Sequence, residues 1–332
     1  MKKYKVAVVG ATGMVGRTFV ELLEERKFPI SELRLLASEN STGEKMVSGN
    51  EDIRVQVLNG DSFDEINFAF FSAGTEISKK FAPIAVKAGA IVIDNSSAFR
   101  MDDSVPLIIP EVNPDALKRH SGIIANPNCS TIQMVVVASP LHDAATIKRI
   151  VVSTYQSVSG QGKDALMELR QQCEALFAGK EISLEIFPHQ IAFNLIPQID
   201  IFLDDGYTKE ELKMVIESRK IMGLPNLPVS ATCVRVPVFN SHGISLNLEF
   251  EQPIDVKTAR SILFKASGVT VLDELKSNRY PTPQSASDKD EVFVGRIRKD
   301  DSIENGLNLW VVADNLRKGA ALNAIQIAER MI

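Results

Sequence analysis

The sequence predicts an α/β chain of two domains: a parallel, doubly wound sheet first, then an α+β domain whose sheet is mixed and largely antiparallel. Three observations carry this. From residue 5 to about 146, short and mostly continuous apolar strand candidates alternate with helical stretches, the texture of strands covered on both faces by crossover helices. After about residue 147 the strand candidates lengthen, and several alternate apolar with polar residues, as a sheet with unlike faces requires. The length, 332 residues, supplies about two domains of roughly 150 residues.

In chain order, residues 5–9 are a β-branched run that ends at Gly10, and residues 14–26 place Met14, Val15, Phe19, Leu22 and Leu23 at helical spacing. Further short strands are expected at 33–37, 67–72, 90–94 and 122–126. The longer strands fall at 148–158, 230–238, 243–251, 291–298 and 307–312, with helices at about 161–179, 209–222 and 255–267. Residues 277–290, rich in Pro, Ser and charge, read as a long loop, and a last helix is expected over about 315–331.

Composition excludes several classes. Hydrophobic residues at 45% and charged residues at 24% match a soluble globular domain and exclude a disordered or low-complexity scaffold. A net charge of −5 lacks the basic field of non-specific nucleic-acid binding, so no nucleic-acid partner is expected. No apolar run exceeds six residues even counting Gly and Pro, against the ~20 of a spanning helix, so no membrane partner is expected either. The N-terminal Lys2, Lys3 and Lys5 before Val6 to Val9 imitate a signal peptide, but the apolar stretch is too short. Three cysteines, at 129, 173 and 233, are too few and too scattered for a disulfide framework or a Cys-based metal site, and point to a reducing, cytoplasmic setting. No His spacing resembles a metal cluster, and no metal is expected.

The first chemical signal is Gly10-Ala11-Thr12-Gly13-Met14-Val15-Gly16, directly after a strand and opening a helix. Glycines let the backbone turn tightly against a pyrophosphate, with N–H groups and the helix dipole facing the anion. About 20 residues further on, where an acid favours a ribose diol and an arginine a 2′-phosphate, stand Ser38-Glu39-Asn40-Ser41-Thr42. The hydroxyls and amide suit a phosphate and Glu39 opposes one, so the residues leave NAD and NADP both open.

The second signal is Asn126-Pro127-Asn128-Cys129-Ser130-Thr131, where a strand ends and an amphipathic helix begins near Ser130. A thiol at a helix N-terminus is stabilised as thiolate, and Asn128 with nearby N–H groups can bind an oxyanion. Spacing alone leaves a small buried hydrophobe as an equal reading of Cys129. Cys173 shares a helical face with Leu169 and Leu176, and Cys233 lies inside a strand, so both are expected to pack. His242 follows the turn Asn240-Ser241 at a strand end, from which a side chain could reach a site.

These segments occur in order with Asp94-Asn95-Ser96-Ser97-Ala98-Phe99-Arg100, 153–160, Phe187-Pro188-His189-Gln190, Glu217-Ser218-Arg219-Lys220, Arg235-Val236-Pro237 and Asp314-Asn315-Leu316-Arg317. Together they resemble the bacterial type of the aspartate-β-semialdehyde dehydrogenase family along essentially the whole chain. The glycine turn is shared with many enzymes; the cysteine segment and 235–242 are far more specific.

The resemblance implies a Rossmann-like dinucleotide-binding domain over 1–128 and 313–332, and a catalytic and dimerisation domain over 129–312. It implies Cys129 as nucleophile, His242 as general acid/base and Gln156 as the residue that positions substrate and acyl intermediate. Arg235 and Glu217 are implied for the α-carboxylate and α-amino groups, Arg100 and Lys220 for phosphate, and Asn128 for substrate. Contacts to the cofactor are implied at Gly10, Thr12, Gly13, Met14, Val15, Gly16, Ser38, Asn40, Ser41, Ser159, Gly160 and Asn315. The cofactor implied is NADP, the partners are aspartate β-semialdehyde or β-aspartyl phosphate with phosphate, and the assembly is a homodimer.

The reaction implied is reductive dephosphorylation of β-aspartyl phosphate through a cysteine thioester, in biosynthesis of lysine, methionine and threonine. A planar guanidinium suits the fixed anions assigned to Arg100 and Arg235. The chain departs from the family at Asn40, where Arg is common, which leaves NAD use open. It departs again at Gly243-Ile244, where Ser-Glu often follows the histidine, so the orienting partner of His242 is unidentified. The alternatives are an N-acetyl-γ-glutamyl-phosphate reductase and a non-catalytic dinucleotide-binding regulator.

Overall fold

Tyr4, Val6, Val8 and Val9 favour extended backbone, and with Lys5 and Ala7 they form β1 (Tyr4–Val9), in which Val6 to Val9 are wholly buried. The computed structural model describes residues 2–49 and 51–332. β1 is followed by β2 (Ile30–Ala37), β3 (Lys45–Ser48), β4 (Glu51–Arg54), β5 (Gln56–Val57), β6 (Phe68–Phe71), β7 (Ile91–Asp94) and β8 (Ile123–Ala125). Six of these form one parallel sheet in the order β5-β2-β1-β6-β7-β8, while β3 and β4 pair as a separate antiparallel hairpin. The hairpin was not expected; it is short and polar, with no run of apolar residues to announce it.

Period-two alternation divides the core between the two faces of this sheet. Val6, Val8, Phe68 and Phe70 pack with Phe19, Leu22 and Leu23 of α1 (Met14–Glu25) and with the C-terminal helix Leu322–Glu329. Ala7, Val9, Ala69 and Phe71 pack on the other face with Phe81, Ala82 and Ala85 of α2 (Thr75–Lys87). The C-terminal helix is also tied down by Arg26, whose Nε and Nη2 each donate to Glu329 at 2.7 Å.

This first unit takes in the chain to Asn128 and residues 320–332; the second is Cys129–Gly319. Residues 313–319, assigned from sequence to the first domain, therefore belong to the second. Ala313 ends a strand of that unit, and the Asp314 carboxylate accepts the N–H groups of Asp288, Leu316 and Arg317.

The second unit contains α3 (Cys129–Ala145), β9 (Ile147–Gln156), α4 (Lys163–Phe177), α5 (Lys209–Met222), β10 (Val229–Arg235) and β11 (His242–Phe250). α6 (Val256–Lys265), β12 (Val269–Val271), α7 (Pro283–Ala286), β13 (Val292–Asp300) and β14 (Gly306–Ala313) complete it. Its sheet runs β10-β9-β11-β14-β13-β12. The three inner pairs are antiparallel and the two outer pairs parallel, which is the mixed, largely antiparallel sheet expected.

Three local expectations change. α3 is not amphipathic: Ser130 through Ala138 are all buried, because the helix lies on β9, β11, β13 and β14 and also meets α5 and α6. A helix buried all round carries no polar stripe. The loop expected at 277–290 contains α7, started by a Thr282/Ser285 capping box. The last helix is interrupted by a π turn over Arg317–Ala321 before it continues as Leu322–Glu329. Such turns often mark functional positions. Among the described residues no helix is long and apolar enough to cross a membrane.

Candidate active site

In the first unit the glycine turn is made by backbone approach. Gly10 has φ +82°, and a Cβ there would lie 2.5 Å from the carbonyl oxygen of Ser72. A Cβ on Gly16 would lie 2.1 Å from the oxygen of Gly10, so the start of α1 closes onto the end of β1 only without side chains. Beside the turn is a cavity of about 450 Å³ lined by Gly10, Thr12, Gly13, Ser38, Glu39 and Lys80, among others. It lies where the strand order reverses around β1, the position at which doubly wound sheets bind ligands.

Met14, Val15, Gly16, Asn40 and Ser41 do not line this cavity. The first three turn into α1, and the last two belong to the 3-10 turn Glu39–Ser41. Lys80 of α2 lines it and was not anticipated, since nothing in sequence sets it apart from the neighbouring Lys79. The cradle, its size and the helix N-terminus beside it fit a dinucleotide.

Arg100 lies in the loop after β7. Asp94, fully buried, accepts Ser78 Oγ at 2.7 Å, Ser96 N–H at 3.0 Å and Ser96 Oγ at 2.7 Å, fixing the start of that loop. Burial pushes the Asp94 carboxyl above its usual range. The Arg100 guanidinium is 7% exposed, with Nε donating to Asn126 O at 2.9 Å and Nη2 to Asn95 O at 2.7 Å. Asn126 itself is held by Asn95 and Asn323, so the segment before the cysteine is rigid. Asn128, the last residue of this unit, is buried.

In the second unit Cys129 is the first residue of α3 and half-buried, where the helix dipole favours its thiolate. None of the three cysteines is in a disulfide. Electrostatic attraction couples Cys129 to Arg235, whose guanidinium is held down by burial and raised by Glu210, Cys129 and Cys233. Arg235 closes β10 and donates through Nη1 to Ser157 O at 2.7 Å and through Nη2 to Gln161 Oε1 at 3.4 Å. His242 opens β11 and is wholly buried.

Nδ1 of His242 accepts the Ser157 backbone N–H at 3.1 Å and lies 3.0 Å from Ser157 Oγ, whereas Nε2 is buried without a hydrogen-bond partner. Burial first, then the Arg235 charge, lowers the ring to a pKa of about 3, so it is neutral. Arg235 and His242 share one small space. A Cβ on Gly160 would stand 3.1 Å from Arg235 Nη1 and 3.4 Å from His242 Nε2. Gly319, in the π turn, leaves room for Cys129, since a Cβ there would lie 2.8 Å from that of Cys129.

Gln156, at the end of β9, spends its amide hydrogens on Ser130 Oγ at 2.7 Å and Glu210 Oε1 at 3.2 Å. α5 carries Glu210, Glu217 and Lys220; Glu217 is fully buried and Lys220 half-buried. The helix is fixed by a Thr208/Glu211 capping box and by Gly223 at φ 68°. Ser159 and Asn315 bond each other, Asn315 Nδ2 donating to Ser159 Oγ at 2.9 Å.

Sequence reasoning passed over Ser157, Glu210 and Gly319. Glu210 reads as an ordinary first-turn acid, and its burial against Gln156 has no sequence signature. Cys233 is buried, touches Met214 Sδ at 3.8 Å, and is driven toward the neutral thiol by burial, in keeping with packing.

Known families match both units. Residues 5–120 match the semialdehyde dehydrogenase NAD binding domain, and 138–318 the semialdehyde dehydrogenase dimerisation domain. An aspartate-semialdehyde dehydrogenase of Aquifex aeolicus is 56% identical, covering 99% of this chain and 98% of that protein. The crystal structure of aspartate semialdehyde dehydrogenase II from Vibrio cholerae complexed with ASA is 49% identical with a TM-score of 0.96, covering 100% of this chain and 98% of that one. Aspartate semialdehyde dehydrogenase with NADP from Candida albicans is 25% identical with a TM-score of 0.78, covering 99% and 98%. The chain belongs to the aspartate-semialdehyde dehydrogenase family of oxidoreductases.

Proposed function

We propose that the dehydrogenase activity of this chain runs through a thioester on Cys129, by the reversible reductive dephosphorylation of β-aspartyl phosphate to aspartate β-semialdehyde with NADP. One observation carries the reading: a cysteine at the head of a buried helix, coupled to a buried arginine that shares its space with a buried, neutral histidine. The Cys129 thiolate attacks the acyl phosphate carbon, the C–S bond forms, and phosphate leaves with the electrons of the C–O bond. A thiolate suits both steps, since it adds readily to acyl phosphates and leaves readily from a collapsing hemithioacetal.

Arg235 offers a planar fork to the α-carboxylate, and Glu217 meets the α-ammonium. Lys220 and Arg100 receive phosphate, and Gln156, with both amide hydrogens committed to Ser130 and Glu210, presents Oε1 as an acceptor. Nε2 of His242 is the buried atom that meets the oxygen of the adduct. The ASA bound by the Vibrio cholerae relative supports this substrate.

The dinucleotide belongs in the cavity beside Gly10 to Gly13, and when bound it supplies or accepts the hydride. NADP is favoured by the Candida albicans relative and by Lys80 on the cavity wall; Glu39 on the same wall, with Asn40 at the turn, leaves room for NAD. Homodimerisation rests on the dimerisation domain and on exposed apolar side chains of the second unit. Phe177 and Phe193 are 83% and 66% exposed and meet edge to face at 5.7 Å, with Leu195, Ile201 and Phe202 also exposed. Three cysteines outside any disulfide suit a reducing cytoplasm.

The test is phosphate- or arsenate-dependent reduction of NADP by aspartate semialdehyde, with NAD at matched concentration. Turnover is expected with NADP and more slowly with NAD. Turnover only with N-acetyl-γ-glutamyl semialdehyde would overturn the substrate, and turnover without phosphate would overturn the acyl-transfer step.

A further inference from the structure

We infer that Glu210 is a positioning residue for this reaction: clamped by Lys213 and Asp200, it fixes which end of the Gln156 amide faces the reacting substrate. The inference deepens the reading above and rests on it for the role of Gln156.

Thr208-Lys209-Glu210-Glu211 opens α5 with two adjacent acids that do different work. Glu211 closes the capping box with Thr208, and its Oε1 accepts the Cys233 N–H at 2.9 Å. Glu210 faces the end of β9, where its Oε1 accepts Gln156 Nε2 at 3.2 Å. A helix dipole favours an acid in the first turn whether or not it is buried, so the dipole does not explain why the Glu210 side chain is only 7% exposed. Burying a carboxylate is costly unless its oxygens are paired.

Both oxygens are paired. Oε2 accepts Lys213 Nζ at 3.1 Å, one turn along α5, and the same ammonium donates to Asp200 Oδ2 at 2.8 Å. Burial works against the Lys213 charge, but Glu210 and Asp200 outweigh it and keep the ammonium protonated. An exposed pair at this helix spacing is worth little. Here Lys213 is 23% exposed and Glu210 7%, so the pair is a buried clamp that leaves Oε1 aimed at Gln156. The same carboxylate acts on the substrate side: burial lowers the Arg235 guanidinium, and Glu210 leads the groups that raise it.

The consequence lies in the amide. A carboxylate can only accept, so Gln156 must turn Nε2 toward Glu210. The second Nε2 hydrogen goes to Ser130 Oγ at 2.7 Å, beside Cys129 in the chain. With both hydrogens spent there, the planar amide sends Oε1 the other way, as an acceptor. Ser130 cannot set this sense by itself, because a hydroxyl both donates and accepts. Reversal would bring two acceptors together against Glu210 and turn an N–H toward the substrate. Glu210, held by Lys213, is the group that decides.

The experiment is a double-mutant cycle on turnover of aspartate semialdehyde with NADP and phosphate. In Glu210→Gln, Lys213 can still only donate, so it draws the oxygen of the new amide and leaves an NH2 group against Gln156, which inverts the Gln156 amide. Then kcat/KM should fall about tenfold in the parent and less than about twofold in a Gln156→Ala background. Lys213→Met keeps the carboxylate and removes its clamp; it should lose about threefold with the same dependence on Gln156, and it carries the test if Glu210→Gln does not fold. NMR of ¹⁵N-glutamine-labelled chain reads the link without turnover. The Gln156 side-chain signals, those missing from Gln156→Ala, should shift and exchange faster with solvent in both variants. Equal losses with and without Gln156, no loss in the parent, or unmoved Gln156 signals overturn the inference. Failure of the reading it rests on shows separately, as a parent chain that does not turn over aspartate semialdehyde although its Gln156 signals respond to Glu210→Gln.

Discussion

The two ligand-handling regions are built on opposite plans. The turn after β1 is contiguous in sequence, residues 10–16, and is made of backbone: what matters there is the absence of side chains. The cluster in the second unit draws Cys129, Gln156, Ser157, Arg235, His242 and Asn315 from distant points of the chain, and what matters is the identity of individual atoms. A backbone site binds through dipoles and shape, so it is local and widely reused. A side-chain site does bond-making chemistry, so it needs groups that only a folded sheet brings together from distant points of the chain.

Cys129→Ala should separate the two most sharply. Turnover should fall by about 10⁴-fold or more while dinucleotide affinity is unchanged, as read by steady-state assay and by calorimetric titration with NADP. Surviving activity would remove Cys129 as nucleophile. Gly10→Ala is the complementary break. With φ at +82° and a Cβ 2.5 Å from Ser72 O, it should cost roughly 3 kcal/mol of stability and weaken NADP binding. An unshifted urea midpoint and unchanged affinity would show that the turn can relax.

The smallest effect concerns acid. His242 has a pKa of about 3 when folded against about 6.5 unfolded, so below pH ~6.5 the unfolded chain takes up a proton that the native chain refuses. Stability should therefore fall as pH drops from ~6.5 toward 3, by up to about 1.4 kcal/mol per pH unit from this one group. The Asp94 carboxyl, raised by burial, acts with the opposite sign. Subtracting the urea-midpoint curve of His242→Asn from that of the parent isolates the histidine, and parallel curves would refute a buried neutral ring.

Much of the fold was legible because its signals are local. β1, α1, β6 and β7 each came within a residue or two of their observed limits, since continuous apolar runs and helical spacing are written in neighbouring residues. Where packing decides, local reading lost its hold. α3 looked amphipathic and is buried all round, and a helix expected from 315 is a π turn first and a helix only from Leu322. In the site, Cys129 was marked by its strand–Pro–helix setting, whereas Glu210 and Lys80 looked like any surface charge.

The sequence by itself determined the alternation of strands and helices, the phosphate-type turn and a cysteine at a helix start, because each depends on residues a few positions apart. Only the tertiary structure decided which ring nitrogen of His242 meets the Ser157 N–H, where both amide hydrogens of Gln156 go, and that Ser157 bonds both Arg235 and His242. Those facts depend on hydrogen-bond direction and on burial. Both are fixed when distant strands pair and helices cover them, so no stretch of neighbouring residues contains them.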